Sequence, residues 1–216
     1  MFDGPIGSMS TSVTRRAITA SSKCANALFL RAAGFTRDRN HFHRTVPGLI
    51  HGIAFQGSQW GTLNDGSFTV NLIVTSELFS RTFTGLPLPR NPATANPPIR
   101  VRLGHLTPAK TDSWWNVGAD TDLDILAERV ADCLRQFAMP FFESVSDSNS
   151  LLNRLREGGN LPFDTPEEAL LVHATLAAQM GMMSEAKEVL SRALVDPACH
   201  PYGVRMVADR IGVALE

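Results

Sequence analysis

Cysteine is scarce in this chain of 216 residues: Cys24, Cys133 and Cys199 lie far apart and form no Cys-x-x-Cys pair. An odd, sparse set excludes a disulfide framework and predicts reduced thiols in the cytosol. An excess of one charge is missing too. With 20 Lys and Arg against 21 Asp and Glu, the net charge of −1 supplies no global attraction to nucleic acid or to an anionic membrane surface. No apolar run approaches the roughly 20 residues that span a bilayer, and the N-terminus lacks the basic and apolar regions of a secretory signal. There is no P-loop, no Gly-x-Gly-x-x-Gly and no His-Glu-x-x-His, so the motifs for phosphate cradling, dinucleotide binding and zinc hydrolysis are absent. Gly57-Ser58-Gln59-Trp60-Gly61 is not a nucleophile elbow, because its serine stands one position early.

What is present is a strand pattern. In Phe68–Thr75, Phe68, Val70, Leu72 and Val74 alternate with Thr69, Asn71, Ile73 and Thr75, with Leu78 continuing the first set, so one face is apolar. The run from Ile53 alternates likewise, and Asn64-Asp65-Gly66 supplies turn residues, so the two form an antiparallel hairpin. Asn40–Val46 reads as a preceding strand, Ile99–Leu103 as a fourth, and Ser113–Val117 as a short fifth. Apolar residues at helical spacing from Thr14 to Ala33 predict a first helix ended by Gly34, and Leu123 to Phe137 a second one stopped by Pro140. Leu86 to Pro98 holds five prolines and is expected to be an extended excursion outside the ladder.

The expected fold is α+β: an antiparallel sheet of four to five strands with helices packed on one face, followed by a C-terminal helical tail. Residues 1–13 are read as a disordered or vector-derived start, 14–142 as the α+β domain and 143–216 as a helical appendage packed on it. In the tail, Thr165-Pro166-Glu167-Glu168 combines a capping box with proline in the first turn. A last helix is expected over Tyr202–Leu215.

Gly34-Phe35, His41-Phe42-His43-Arg44, Phe55-Gln56-x-Ser58-x-Trp60, Phe68-Thr69-Val70-Asn71-Leu72 and Trp114-Trp115, as an ordered set over about Arg15 to Phe142, resemble the bacterial family catalogued as domain of unknown function 4304. The resemblance implies an α+β fold and brings no activity with it. The sequence departs from the family pattern in having Ile73 where a glycine is usual. Ala174, Ala177, Gly181, Ala186, Leu190, Ala193 and Pro197 are similar to a single tetratricopeptide repeat, too few units to stack into a binding groove.

If these registers hold, the sheet face turned away from the helices collects His41, His43, Gln56, Ser58, Asn71, Arg100 and Arg102. Two guanidinium forks beside amides and a hydroxyl suit a carboxylate or phosphate, although a solvent-facing antiparallel sheet is polar in any case. Trp60, Trp114 and Trp115 are candidates for a partner surface or for edge packing. No metal or other cofactor is expected: His41 and His43 fall short of a zinc ligand set. Asp120, Asp122 and Asp124 imitate the start of a calcium loop, but Ile125 stands where that loop needs glycine. The reading is therefore a non-catalytic binding or protein-interaction domain that engages a protein or a small anionic ligand, with nucleic acid and membrane not expected as partners. The alternative is a small hydrolase or transferase with its site on the same polar face.

Overall fold

The computed structural model describes residues 12–95, 97–158, 161, 163 and 165–215; most of the expected disordered start lies outside them. Helix α1, Val13–Ala25, opens where the Ser12 hydroxyl accepts from the Arg15 amide, and it runs on through a π turn, Asn26–Leu30. Gly34, at φ +82°, reverses the chain with left-handed geometry that glycine adopts without strain. Six strands follow among the described residues: β1 (Thr36–Asp38), β2 (His41–Val46), β3 (Leu49–Gly57), β4 (Asp65–Thr75), β5 (Ile99–Arg102) and β6 (Trp115–Gly118). All pairings are antiparallel, in the order β1-β2-β3-β4-β5, with β6 beside the first half of β4.

The register places Phe42, Ile53, Leu72 and Val101 in one row across four strands, each no more than 4% exposed. Four large apolar side chains stacked on one face are the centre of the core. Helix α1 lies across β3, β4 and β6, and α3 (Leu123–Cys133) packs against α1, so the helices cover one face as the alternation predicted. Asp122 is the N-cap of α3, accepting from Asp124 and Ile125 amides, which accounts for an acidic residue there without calcium.

Three expectations about this region are corrected. Pro140 does not stop the second helix, because a π turn over Leu134–Ala138 precedes it and Pro140 falls in the first turn of α4 (Met139–Ser144), where no amide hydrogen bond is required of it. Leu78 does not continue β4: Ser76 accepts from the Phe79 amide and starts a short helix, α2 (Glu77–Thr84). The second face of the sheet is not simply open either. Thr69, Asn71, Ile73 and Thr75 are all buried, and part of the proline-rich segment, with a 3-10 turn at Pro92–Thr94, folds over it. There Ala93, Ala54 and Ile73 make a small satellite core. The close approach is permitted by Gly52, opposite Ile73, where an added Cβ would stand 3.2 Å from Ile73 Cβ and 3.4 Å from Ala93. The glycine of this contact stands on β3, across from the position where the family pattern has one.

A polar cluster is buried where strands meet α4. His51 is fully buried and its ring stacks on Phe142 at 4.6 Å. Its Nε2 lies 2.9 Å from the Val145 carbonyl, and its Nδ1 accepts from Arg44 Nε at 3.2 Å. Arg44 also donates to the Ala33 carbonyl and lies over the Phe35 ring. A neutral imidazole with Nε2 protonated satisfies both bonds, and burial pushes its pKa down to about 4.

The tail comprises α5 (Ser148–Arg156), α6 (Pro166–Gln179), α7 (Met183–Val195) and α8 (Pro201–Ile211). The Thr165–Glu168 capping box forms as read from the sequence. The last helix ends at Ile211, short of the expected Leu215, because Gly212 takes φ +73°. Gly158-Gly159 follows α5 as a glycine pair suited to end a helix; Gly158 takes φ +65°, and Gly159 lies outside the described residues. Leu151, Leu152, Val172 and Leu176 join the main core, while Ala177, Ala186, Leu190 and Val207 belong to a second one. Glu185 ties three of these helices together: it accepts from Arg156 of α5 at 2.6 and 2.8 Å and lies 2.7 Å from His173 Nε2 of α6. The hydrogen bonds from Arg156 and then His173 hold its carboxyl down at about 2. Glu185→Gln is expected to lower the urea midpoint of the protein, since Arg156 and the largely buried His173 both lose a charged acceptor. An unchanged midpoint would show that the triad adds nothing to the packing of the tail.

Candidate functional site

Strand alternation positions the polar face. The row His41–Ala54–Asn71–Arg102 and the row His43–Gly52–Ile73–Arg100 run side by side over β2 to β5, so His41, His43, Asn71, Arg100 and Arg102 share a face as expected; Gln56, opposite Thr69, shares it too, while Ser58 falls just past the end of β3. The proline-rich segment then divides that face in two. On the β2 side, Asn91 donates to Asp38 at 2.8 Å and Ala93 covers the middle of the sheet. His41 lies on this side, paired across from Asp38, and burial lowers its pKa against the pull of that carboxylate. His43 is next to it, with a buried Nδ1 that has no hydrogen-bond partner among the described residues. The two histidines are thus remote from the arginines, separated by β3 and β4, a distance on the order of 14 Å at normal strand spacing.

On the β5 side the face is uncovered. A cleft of about 680 Å³ is lined by Gln56, Asn71, Arg100, Arg102, His105 and Phe163. Asn71 Nδ2 donates to Gln56 Oε1 at 2.8 Å, which orients both amides and leaves the Gln56 amino group and the Asn71 carbonyl for a ligand. Arg100 donates to the Ala95 carbonyl at 2.7 Å, anchoring the proline-rich segment at the cleft wall. Arg102 is held by two contacts, an ion pair with Asp112 and the Trp114 ring 5.2 Å below its guanidinium. The segment carrying Asp112 and Trp114 is pinned by Thr69 Oγ1, which donates to the Ser113 carbonyl at 3.0 Å.

A smaller recess of about 310 Å³ adjoins the cleft and shares Gln56 and Arg102 with it; Ser58, Gln59, Trp60 and Trp114 are its other polar and aromatic walls. The polar face and part of the tryptophan edge are therefore one continuous surface that turns at Arg102. Ser58 is held in the hairpin, its hydroxyl accepting from the Trp60 amide at 3.1 Å. Trp60 is 79% exposed at the end of β3. Trp115 lies apart from both: it faces the core side and stacks on Phe68 at 5.4 Å, as odd and even positions of β6 require.

Three residues of this surface are not legible from local sequence. His105 looks like the sequel of a strand, yet the chain leaves β5 in a 3-10 turn, Leu103–Leu106. Phe163 comes from the connection between α5 and α6, and no local signal places it there. Asp112 carries a faint signal, an acid shortly before the paired tryptophans, but only the tertiary fold brings it to Arg102. Among the described residues no group of three or more His, Cys, Asp or Glu is placed to hold a metal ion, and no helix is long and apolar enough to cross a membrane.

Fold and surface together define an α+β protein whose antiparallel sheet buries one face under helices and carries an arginine-lined cleft on the other. Residues 27–144, more than half of the chain, match the model of DUF4304, a domain of unknown function. The chain belongs to the DUF4304 family. No curated protein and no solved structure is significantly similar to it.

Proposed function

We propose that this chain is a non-catalytic binding module whose cleft at the β5 edge takes a small anionic ligand through Arg100 and Arg102. The observation that carries this reading is the Arg102–Asp112 pair: a carboxylate already sits on the guanidinium that the cleft presents, so the site has the chemistry for another. Trp114 beneath Arg102 keeps the fork flat and oriented, and the Gln56 amino group, whose carbonyl is already engaged by Asn71, stands where it can donate to a carboxylate or phosphate oxygen. Phe163 supplies an apolar wall for the body of the ligand.

The rival reading, a hydrolase on the same face, finds less support. Ser58 Oγ is engaged by the Trp60 amide, and among the described residues the histidine that meets a carboxylate at hydrogen-bond distance is His173, on Glu185 in the tail. A second reading, contact with a protein partner near the end of β3, is favoured by Trp60 at 79% and Leu63 at 58% exposure. Trp60→Ala combined with Leu63→Ser is expected to leave small-anion binding intact, because neither side chain lines the cleft of Arg100 and Arg102 itself, which separates protein contact from anion binding.

The test is calorimetric titration with inorganic phosphate, citrate and a mononucleotide as probes. Arg102→Ala is expected to weaken the best probe roughly 10- to 100-fold, the equivalent of about 1.5–3 kcal/mol for a hydrogen bond to a charged group. Asp112→Asn is expected to strengthen it up to about fivefold, because the internal competitor is a partly exposed ion pair worth about 1 kcal/mol at most. Equal affinity in wild type and Arg102→Ala would remove the reading.

A further inference from the structure

A second concavity, larger than the arginine-lined cleft, is away from the polar face, on the outer side of the helix layer. A groove of about 970 Å³ runs between α1 and α3. Its charges are sorted by helix: Arg15, Arg16 and Lys23 stand on the α1 bank, Asp124 and Glu128 on the α3 bank. Among the described residues none of these five has an ion-pair partner within 4 Å. Between the banks the floor is made of small side chains, Ala20, Cys24, Ala27 and Ala127. Beyond them on the α1 side Leu28 is 54% exposed.

The two helices run in the same direction. Arg15 and Arg16 share the groove with Asp124 near the start of both helices, and Arg135 lies over the Phe29 ring near the end of both. A surface with one basic and one acidic bank, parallel to each other, is complementary to itself in one arrangement. A two-fold axis laid along the groove places the α1 bank of one copy over the α3 bank of the other, basic on acidic, with start facing start. A two-fold axis across the groove would set like charges against each other. Small residues on the floor let the two helix layers approach closely, and an isologous contact of this kind closes on itself.

We propose that this protein forms a two-fold homodimer through the α1–α3 groove, with Arg15, Arg16 and Lys23 of each copy facing Asp124 and Glu128 of the other. The interface is independent of the anion cleft, which lies on the opposite side of the sheet and stays open in the dimer.

Sedimentation equilibrium tests it. Wild type is expected to sediment as a dimer that weakens as salt is raised. The variant Arg15→Glu/Arg16→Glu makes both banks acidic and is expected to be a monomer, as is Asp124→Lys/Glu128→Lys, in which both banks are basic. Mixed in equal amounts, the two variants are expected to recover the dimer mass, because each bank then meets its opposite. That recovery also excludes misfolding as the cause of dissociation. Ala27→Trp, at an exposed position, is expected to block the approach while leaving the thermal melt of the fold intact. A wild type that stays monomeric at low salt up to its solubility limit would overturn the proposal. So would variants that remain dimeric alone, or variants that fail to pair when mixed.

Discussion

Phe142→Ala is expected to destabilise the protein by about 3–5 kcal/mol, the cost of truncating a fully buried phenylalanine. Phe142 is 0% exposed. Its ring stacks on His51 at 4.6 Å and tilts against Phe35 at 5.8 Å and Phe141 at 5.6 Å, so one side chain joins α4 to β3 and to the chain that leaves α1. Removing it opens a cavity and also strips the apolar cover from buried His51 and its half-buried partner Arg44. Domains of this kind have total stabilities of about 5–15 kcal/mol, so the loss is a large share of the whole. Urea unfolding measures it as a lower midpoint at unchanged slope. The comparison variant is Leu28→Ala, on the exposed side of the helix layer, where a change within about 0.5 kcal/mol is expected. Equal midpoints for the two variants would show that Phe142 is not part of the core.

Acid is expected to unfold this protein earlier than its carboxylates alone would dictate, because of His51. Its imidazole is buried and neutral, with a folded pKa of about 4 against 6.5 when unfolded. Burial is the main cause, and the Arg44 guanidinium adds to it. The unfolded state therefore binds the proton first as pH falls. The stabilising contribution is complete above pH 6.5 and is lost progressively down to about 4. By linkage the loss reaches about 2 kcal/mol at pH 5 and roughly 3 kcal/mol at pH 4. Glu185 titrates lower, between its unfolded 4.5 and about 2, so the change between pH 6.5 and 5 isolates the imidazoles. His51→Gln retains a donor for the Val145 carbonyl and an acceptor for Arg44 but has no proton to gain; the fall in stability over that interval is expected to shrink to the part contributed by His41, whose pKa burial also lowers. A wild-type stability that does not fall from pH 6.5 to 5 would contradict the assignment of a buried neutral histidine.

Period-two alternation makes the faces of β2, β3, β4 and β5 legible in the amino-acid sequence, and with them the row Phe42–Ile53–Leu72–Val101 and the sharing of one face by His41, Asn71 and Arg102. What alternation does not contain is what lies on top of a face. The proline-rich segment is readable as extended, but only its tertiary contact with Gly52 and Ile73 shows that it covers half of the polar face and separates the histidines from the arginines. Pro140 misleads for a related reason: the rule that proline stops a helix concerns the interior of a regular α-helix, and the π turn before it changes which amides need partners. Ser76 carries a legible cap, yet apolar residues at 74 and 78 give the strand pattern more weight. Trp115 shows that adjacency in sequence can divide a pair where a strand begins: its ring packs against the core from β6, and the ring of Trp114, just before β6, lies beneath Arg102. The cleft itself needs contributions from β3, β4, β5 and the loops bearing His105, Asp112 and Phe163, a gathering that no local pattern encodes.

Anion binding at the open end of the polar sheet face, as proposed, leaves a local spectroscopic signature. The most direct test is a nitrogen-edited NMR titration of the protein with inorganic phosphate and then citrate, following backbone amides, the Gln56 and Asn71 side-chain amides, and the arginine Nε–H groups. Saturable shifts are expected, confined to Gln56, Asn71, Arg100, Arg102, His105 and the segment around Asp112, with the Arg102 signal moving furthest as its partner is exchanged. Shifts spread over the surface without saturation, or saturable shifts elsewhere with Arg102 unmoved, would contradict anion binding there.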